Sequence, residues 1–71
     1  MDIYIVLDNG HVVGASTRQQ GAELIRANEA DRLADDNAPL GFGRESMTWK
    51  ADRRHAYDRM QIVNIELEDV E

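Results

Sequence analysis

The stretch "MDIYIVLDNGHVVGAS", residues 1–16, decides the fold, because aliphatic residues alternate along its first half and a turn signal follows them. Ile3, Ile5 and Leu7 occupy every second position, which is typical of a β-strand with one buried face. Asn9 and Gly10 come next, and both residue types accept the positive φ angles of a type I′ hairpin turn. The stretch therefore predicts a β-hairpin.

The turn also predicts how the two strands of this hairpin pair. Counting outward from the turn pairs Asp8 with His11, Leu7 with Val12, Val6 with Val13, and Ile5 with Gly14. In that register one face of the hairpin is aliphatic and is expected to be buried. Its side chains are those of Ile3, Ile5, Leu7 and Val12. Gly14 lies on the same face, where its missing side chain would let another element approach closely.

A helix is expected to follow the hairpin and to begin near Thr17. Ser16 with Gln19, or Thr17 with Gln20, has the spacing of a capping box. An apolar stripe continues through Ala22, Leu24, Ile25, Ala27, Ala30, Leu33 and Ala34. Pro39 ends the helical segment, because the residue before a proline is pushed out of helical geometry. One helix to about residue 37 and two helices with a break at Asn28 are both consistent with this pattern.

The segment after Pro39 is harder to assign, and a helix, a strand or a loop is open for residues 40–59. Gly41 and Gly43 favour a loop, with Phe42 tucked into the core, and a short strand over residues 47–50 is one alternative. The last segment is clearer. Val63, Ile65 and Leu67 alternate with polar residues, which predicts a strand with one buried face.

Together these elements predict an α+β fold. The order is β-β-α-loop-β, and the economical architecture is a two-layer sandwich in which a helix packs on one face of an antiparallel sheet. Residues 1–71 are too few for more than a single domain. A domain of this size encloses little volume, so its function is expected to lie on its surface.

The charge distribution limits the classes of partner. The net charge is −6, and two acidic segments, residues 29–36 and 60–71, bracket a basic one. This balance disfavours direct binding to nucleic acid or to an anionic membrane and favours either simple solubility or a basic partner surface. The chain contains no cysteine, and its acidic start is unlike a signal peptide, so a cytoplasmic location is expected.

The sequence predicts no catalytic residue, no metal site and no cofactor. His11 and His55 are the only imidazoles, and no third group converges on either of them. Asp8 is the natural turn partner of His11, and Asp58 could share a helix face with His55. The Gly41 to Gly43 segment lacks the further glycine and the preceding strand of a phosphate-binding loop.

A basic cluster is interpreted as a solvated face. It comprises Arg53, Arg54, His55 and Arg59, interleaved with Trp49 and Tyr57. The positive excess of this segment is small and the rest of the chain opposes binding to nucleic acid. We therefore expect these arginines to pair with Asp52 and Asp58.

The acidic stretch "NEADRLADDN", residues 28–37, is the principal candidate for a functional surface. On a helix Arg32 reaches Glu29 and Asp36, which is an ordinary row of surface ion pairs. Asp35 and Asp36 lie near the helix C-terminus, where the macrodipole disfavours negative charge. Neutralising them is therefore expected to leave stability unchanged or slightly higher, while weakening any contact with a basic partner.

A second acidic stretch, "ELEDVE", residues 66–71, completes the candidate site. Its Glu66 and Glu68 share a strand face about 6.6 to 6.8 Å apart, close to the rise of about two nucleotides. The predicted partner-binding residues are Asp31, Asp35, Asp36, Glu66, Glu68 and Asp69.

The short length, the acidity, the lack of cysteine and the opening "MDIYIVLDNGHVVGASTRQQGAELI", residues 1–25, resemble small phage-encoded or mobile-element proteins. Among these, the chain looks most like the anti-CRISPR proteins. The resemblance implies a non-enzymatic inhibitor in the bacterial host cell, with Asp and Glu standing in for the phosphates of nucleic acid. The alternative is a small phage adaptor or self-associating structural protein that uses the hairpin face of Tyr4, Val6 and Val13.

Overall fold

The computed structural model describes residues 1–38 and 43–67, and it shows a three-stranded antiparallel sheet with two helices. The elements are β1 (Asp2–Asp8), β2 (His11–Ser16), α1 (Gln19–Asn37), α2 (Met47–Arg59) and β3 (Met60–Glu66). The strand order is β2-β1-β3, so the strand of the quoted stretch is central. α1 packs on one face of the sheet, and α2 packs chiefly on α1 and joins the same core at its C-terminal end. The predicted α+β class is confirmed, with a second helix where a loop had been expected.

The predicted hairpin turn is confirmed, but the register beyond it differs. Asn9 has φ 52° and Gly10 has φ 86°, the two positive angles that the turn requires. The pairs nearest the turn are as predicted, and a β-bulge then leaves Val13 without a partner. Val6 therefore pairs with Gly14 rather than with Val13, and Ile5 pairs with Ala15 rather than with Gly14.

The helices cover the face of the sheet that the sequence predicted to be exposed. Val6 is fully buried and belongs to the core, together with the partly buried Tyr4 and Val13. Within residues 1–38 and 43–67, no helix lies over the opposite face, and we call it the open sheet face. It consists of Ile3, Ile5, Leu7, Val12, Ala15, Gln61, Val63 and Ile65. The predicted burial of Ile3, Ile5, Leu7 and Val12 against a helix is therefore wrong, and the Tyr4, Val6 and Val13 face is not available to a partner.

The same inversion occurs in β3. Met60 and Ile62 point into the core, whereas Val63 and Ile65 lie on the open sheet face. The centre of β1 is apolar on both faces, with Tyr4 and Val6 on one and Ile5 on the other, so the period of two identified a strand without identifying its inner side. Because β3 pairs with β1, its inner and outer faces are reversed from the prediction in the same way.

Small side chains let the helices approach the sheet and each other. Ala22, Ala30 and Ala34 of α1 are fully buried. A Cβ atom at Gly14 would lie 3.0 Å from the Cγ2 atom of Ile25. The close approach expected at Gly14 is thus confirmed, although on the other face of the sheet.

One continuous helix, α1, occupies the segment for which one or two helices were open. It begins at Gln19 with no side-chain cap, and the Ser16 hydroxyl accepts a hydrogen bond from the Arg18 backbone N–H at 3.1 Å instead. The capping-box prediction is therefore wrong. The C-terminal end is as predicted, because Ala38 is extended with φ −67° and ψ 132°.

The second helix, α2, replaces the loop or short strand considered for residues 47–50. Ser46 caps it by accepting a hydrogen bond from the Trp49 backbone N–H at 3.1 Å. The helix runs antiparallel to α1 and continues directly into β3. The two helices extend beyond the end of the sheet at Asp8 and Met60, which makes the molecule 55 Å long and 15 to 20 Å across. The expectations for Gly41 and Phe42 lie outside the described residues.

Candidate functional site

Two of the predicted partner-binding carboxylates hold the helices together. The Arg53 Nε atom donates to the Asp31 carboxylate at 2.5 Å. The Asp35 carboxylate accepts from the Arg44 guanidinium at 2.8 Å and from the Trp49 indole N–H, also at 2.8 Å. We call these contacts the helix clasp. They give the carboxylates of α1 a structural partner that the sequence analysis did not assign.

The helix clasp keeps the Asp35 carboxylate ionised. The hydrogen bond from Arg44 lowers the pKa of this carboxyl below its ordinary value, and the Trp49 hydrogen bond and the Arg44 charge act in the same direction. Reciprocally, the hydrogen bond to Asp35 raises the pKa of the Arg44 guanidinium. The charged pair is thus mutually stabilised, even though the Asp35 side chain is 44% exposed.

Asp36 belongs to the surface row that the helical spacing predicted. The Arg32 guanidinium donates to Asp36 at 2.9 Å and also to Glu29. These hydrogen bonds are confirmed, and the one to Glu29 is the main cause of the raised pKa of Arg32. Asp36 remains 63% exposed, so it is the most accessible of the three candidate carboxylates of α1 whose ion pairs are described.

The arginines of the basic cluster have different partners from those expected. Arg53 binds Asp31, and Arg59 donates two hydrogen bonds to Asp8 at 2.6 and 3.0 Å. The expected pairing survives only between Arg54 and Asp58, whose charged atoms lie 3.9 Å apart.

The Asp8 carboxylate therefore pairs with a residue of α2 rather than only with the hairpin turn. Its carboxylate binds Arg59 at the end of α2, whereas the expected partner, His11, is exposed. The ion pair connects the first strand to the point where α2 becomes β3. The ion pair thereby holds the C-terminal end of α2 next to the end of β1.

Arg26 is a further tie between the helices that the sequence analysis missed. Its Nε atom donates to the Tyr57 backbone carbonyl at 2.8 Å, and its guanidinium lies 4.0 Å from the centroid of the Tyr57 ring. No local sequence signal marks this pair, because the residues lie 31 positions apart.

Glu66 and the candidate carboxylates of α1 lie at opposite ends of the described part of the molecule. Glu66 pairs with Asp2 at one end of the sheet. Asp31 and Asp35 lie past the other end, on the part of α1 that extends with α2 beyond Asp8 and Met60. Among the residues described, the candidate carboxylates therefore form no continuous acidic surface. Glu68 and Asp69 lie outside the described residues.

No protein-family model, no curated protein and no solved structure matches the chain, so comparison with known proteins does not indicate its function. The surfaces of the molecule must indicate its function. Within residues 1–38 and 43–67, no group of three or more potential ligand residues could hold a metal ion. In the same ranges, no helix combines the length and apolar character needed to cross a membrane.

The open sheet face differs from the rest of this surface. Its eight positions carry no charged side chain, in a chain of which 31% of the residues are charged. Val12 is 68% exposed and Ile65 is 39% exposed, while the central Ile5 is half-buried by its neighbours in the sheet. Covering an aliphatic surface of this kind with a second surface removes it from water and lowers the free energy.

Proposed function

We propose that this chain is a non-enzymatic protein-binding domain and that the open sheet face is its contact surface. The observation that carries the proposal is that, among the residues the structure describes, the helices lie on one side of the sheet only, which leaves seven aliphatic side chains of the other face without a covering layer. The largest contiguous apolar patch on a monomeric protein covers about 300 to 600 Å² and is often functional.

The composition of the open sheet face supports binding by apolar contact. Ile3, Ile5 and Val63 are β-branched, so each has few rotamers to lose when a partner covers it. Hydrogen bonds within the sheet already satisfy the central β1 backbone on both of its edges. A partner would therefore meet side chains that are both apolar and preorganised.

A photo-crosslinking amino acid tests this proposal in living bacterial cells. Placed at Ile65 on the open sheet face, it is expected to form protein adducts. Placed at Leu24, which is 61% exposed on α1, it serves as the matched control and is expected to form few. Equal or weaker crosslinking from Ile65 would contradict the proposal. Ile5→Lys, introduced together with the crosslinker at position 65, should abolish the adducts.

A second candidate function is the acidic inhibitor, an anti-CRISPR protein that binds a basic, nucleic-acid-handling subunit inside the bacterial host. The exposure of Asp35 and Asp36, at 44% and 63%, favours it, because a partner's arginines could compete for both carboxylates. Steering by the net charge of −6 would accelerate such binding.

Inhibition of CRISPR interference tests this second candidate. Asp36→Asn with Glu66→Gln removes exposed charge without touching the helix clasp, so this variant should remain folded and lose inhibition. Ile65→Lys is the comparison, because it alters only the open sheet face. If the carboxylate variant inhibits as well as the parent chain, mimicry by these residues is wrong. Binding through carboxylates should also weaken steeply with salt, whereas apolar binding should not.

A further inference from the structure

We propose that the partner on the open sheet face is a second copy of this chain, stacked face to face across a two-fold axis near Ile5. The inference rests on the proposed function, since it names the occupant of the same surface. It predicts a four-layer dimer in which the two sheets are inside and the two helical layers are outside.

The placement of charge favours a second copy. The charged residues of the strands, Asp2, Asp8 and Glu66, all belong to positions on the other face of the sheet. Two chains of net charge −6 repel each other, so an interface between them is best formed where neither brings a carboxylate. The open sheet face meets this condition, and it offers a basic partner no charge to bind.

The symmetry of the surface favours a second copy as well. A two-fold interface brings the same patch of both subunits together, so the patch must be complementary to itself. An uncharged aliphatic face satisfies this requirement without any specific donor or acceptor. When β1 of one copy lies over β1 of the other, Ile5 contacts Ile5 of the second copy, and Ile3 contacts Leu7 of the second copy.

Sheet geometry permits this stacking. Twisted sheets pack with their strands within about 30° of each other and about 10 Å apart. Since β1 is flanked on both sides, Val12 of β2 and Val63 of β3 extend the contact on either side of the central strand. The charged helices remain on the outer surfaces, separated by both sheets.

The area is sufficient for a reversible dimer. Seven-residue strands at about 3.3 Å per residue, in three strands about 4.8 Å apart, give a flat area of about 330 Å² for each copy. Two copies together present about 660 Å² of flat area, and the accessible area is larger because the side chains project from the sheet. An interface of this size falls below the standard range of about 1,200 to 2,000 Å² and is a weak one, so we expect a dimer that dissociates on dilution.

Sedimentation equilibrium over a range of concentrations tests the inference. The parent chain should move from its monomer mass of 8.1 kDa towards twice that value as the concentration rises. Ile5→Lys and Ile65→Lys should remain monomeric, with the dissociation constant raised at least about 10-fold, because each places two like charges within the interface. Leu24→Lys is the matched control, and it should dimerise like the parent.

Circular dichroism establishes that the lysine variants are folded. Ile65 is already 39% exposed, so Ile65→Lys should keep the native spectrum even if Ile5→Lys does not. A parent chain that stays monomeric up to about 1 mM would overturn the inference. So would a dimer that folded Ile65→Lys leaves intact, since that result points to pairing through the free edges of β2 or β3.

The dimer and the proposed function can fail separately. A monomeric parent that still crosslinks a different protein from position 65 would retain the proposed function and reject the second copy as the occupant. A chain that neither dimerises nor crosslinks from this face would reject both. A dimer sensitive to Ile5→Lys and Ile65→Lys supports the inference directly.

Discussion

The sheet and the projecting ends of the two helices are stabilised in different ways. The sheet end contains Val6 and Met60, which are the largest fully buried side chains, and its backbone hydrogen bonds run between three strands. The helical end buries Trp49 and the small side chains of Ala30 and Ala34. It adds the helix clasp, in which Asp31 and Asp35 bind Arg53, Arg44 and Trp49. Apolar burial and sheet hydrogen bonds stabilise one end, and charge-assisted hydrogen bonds supplement a smaller apolar contact at the other.

This difference teaches that an acidic stretch can be a structural feature. Exposed ion pairs contribute little individually because water and salt screen them. The helix clasp therefore makes the far end of the molecule the part that salt and acid weaken first, while the sheet persists. Local opening is expected to begin there, in keeping with the uneven stability of folded proteins.

The largest expected effect comes from the buried sheet end. Met60→Ala should lower the free energy of unfolding by about 2 to 4 kcal/mol, since it removes a fully buried side chain and leaves a cavity. Met47→Ala is the matched control, because Met47 is 85% exposed and Met60 only 1%. Urea unfolding measures both variants, and equal midpoints would show that the sheet end is not the more stable region.

The hairpin turn gives the next effect. Gly10→Val should cost about 1 to 2 kcal/mol, because a β-branched residue is strained at a φ of 86°. Gly43→Val is the control, because a side chain there meets no atom within 4 Å. Thermal unfolding compares the two variants. An unchanged midpoint for Gly10→Val would place the origin of the sheet's register elsewhere.

A smaller loss of stability is expected at the helix clasp. Asp35→Asn should lower the unfolding midpoint, because it removes the ion pair with Arg44 and weakens the hydrogen bond from Trp49. Asp36→Asn should leave the midpoint nearly unchanged, since the hydrogen bond described for Asp36 is with the exposed Arg32 and Asp36 is itself 63% exposed. This order reverses the sequence-based expectation that neutralising Asp35 costs no stability. A midpoint for Asp35→Asn equal to the parent's would restore that expectation.

The smallest effect is the dependence of the helix clasp on pH. The pKa of Asp35 is lower in the folded chain than its ordinary value of 3.8, so the unfolded chain binds this proton more readily. The stabilisation is fully present above 3.8 and is lost as the pH falls through the lower folded pKa. The stability difference between the parent and Asp35→Asn should therefore shrink in acid. A constant difference in urea unfolding across this range would contradict the assignment.

The second helix shows why part of the site was missed. Trp49, Ala56, Tyr57 and Met60 have the spacing of an apolar helical stripe, and Ser46 stands at its start. Arg53 interrupts that stripe, because its side chain faces α1 to bind Asp31. An arginine at a helix interface can be recognised only when its distant partner is known.

The sequence by itself determined the hairpin turn, the alternation of the strands, the C-terminal end of α1 and the α+β class. These features depend on backbone conformation and local periodicity, which neighbouring residues specify. Tertiary structure alone decided that Val6 rather than Ile5 faces the helices, and that Asp31 and Asp35 bind α2. The centre of β1 is apolar on both faces, so the inner face is settled only by packing against the helices, where Ile25 approaches Gly14 and Val6 joins the core. The carboxylates acquired their roles from arginines 9 to 22 residues away, a distance over which no local pattern carries information.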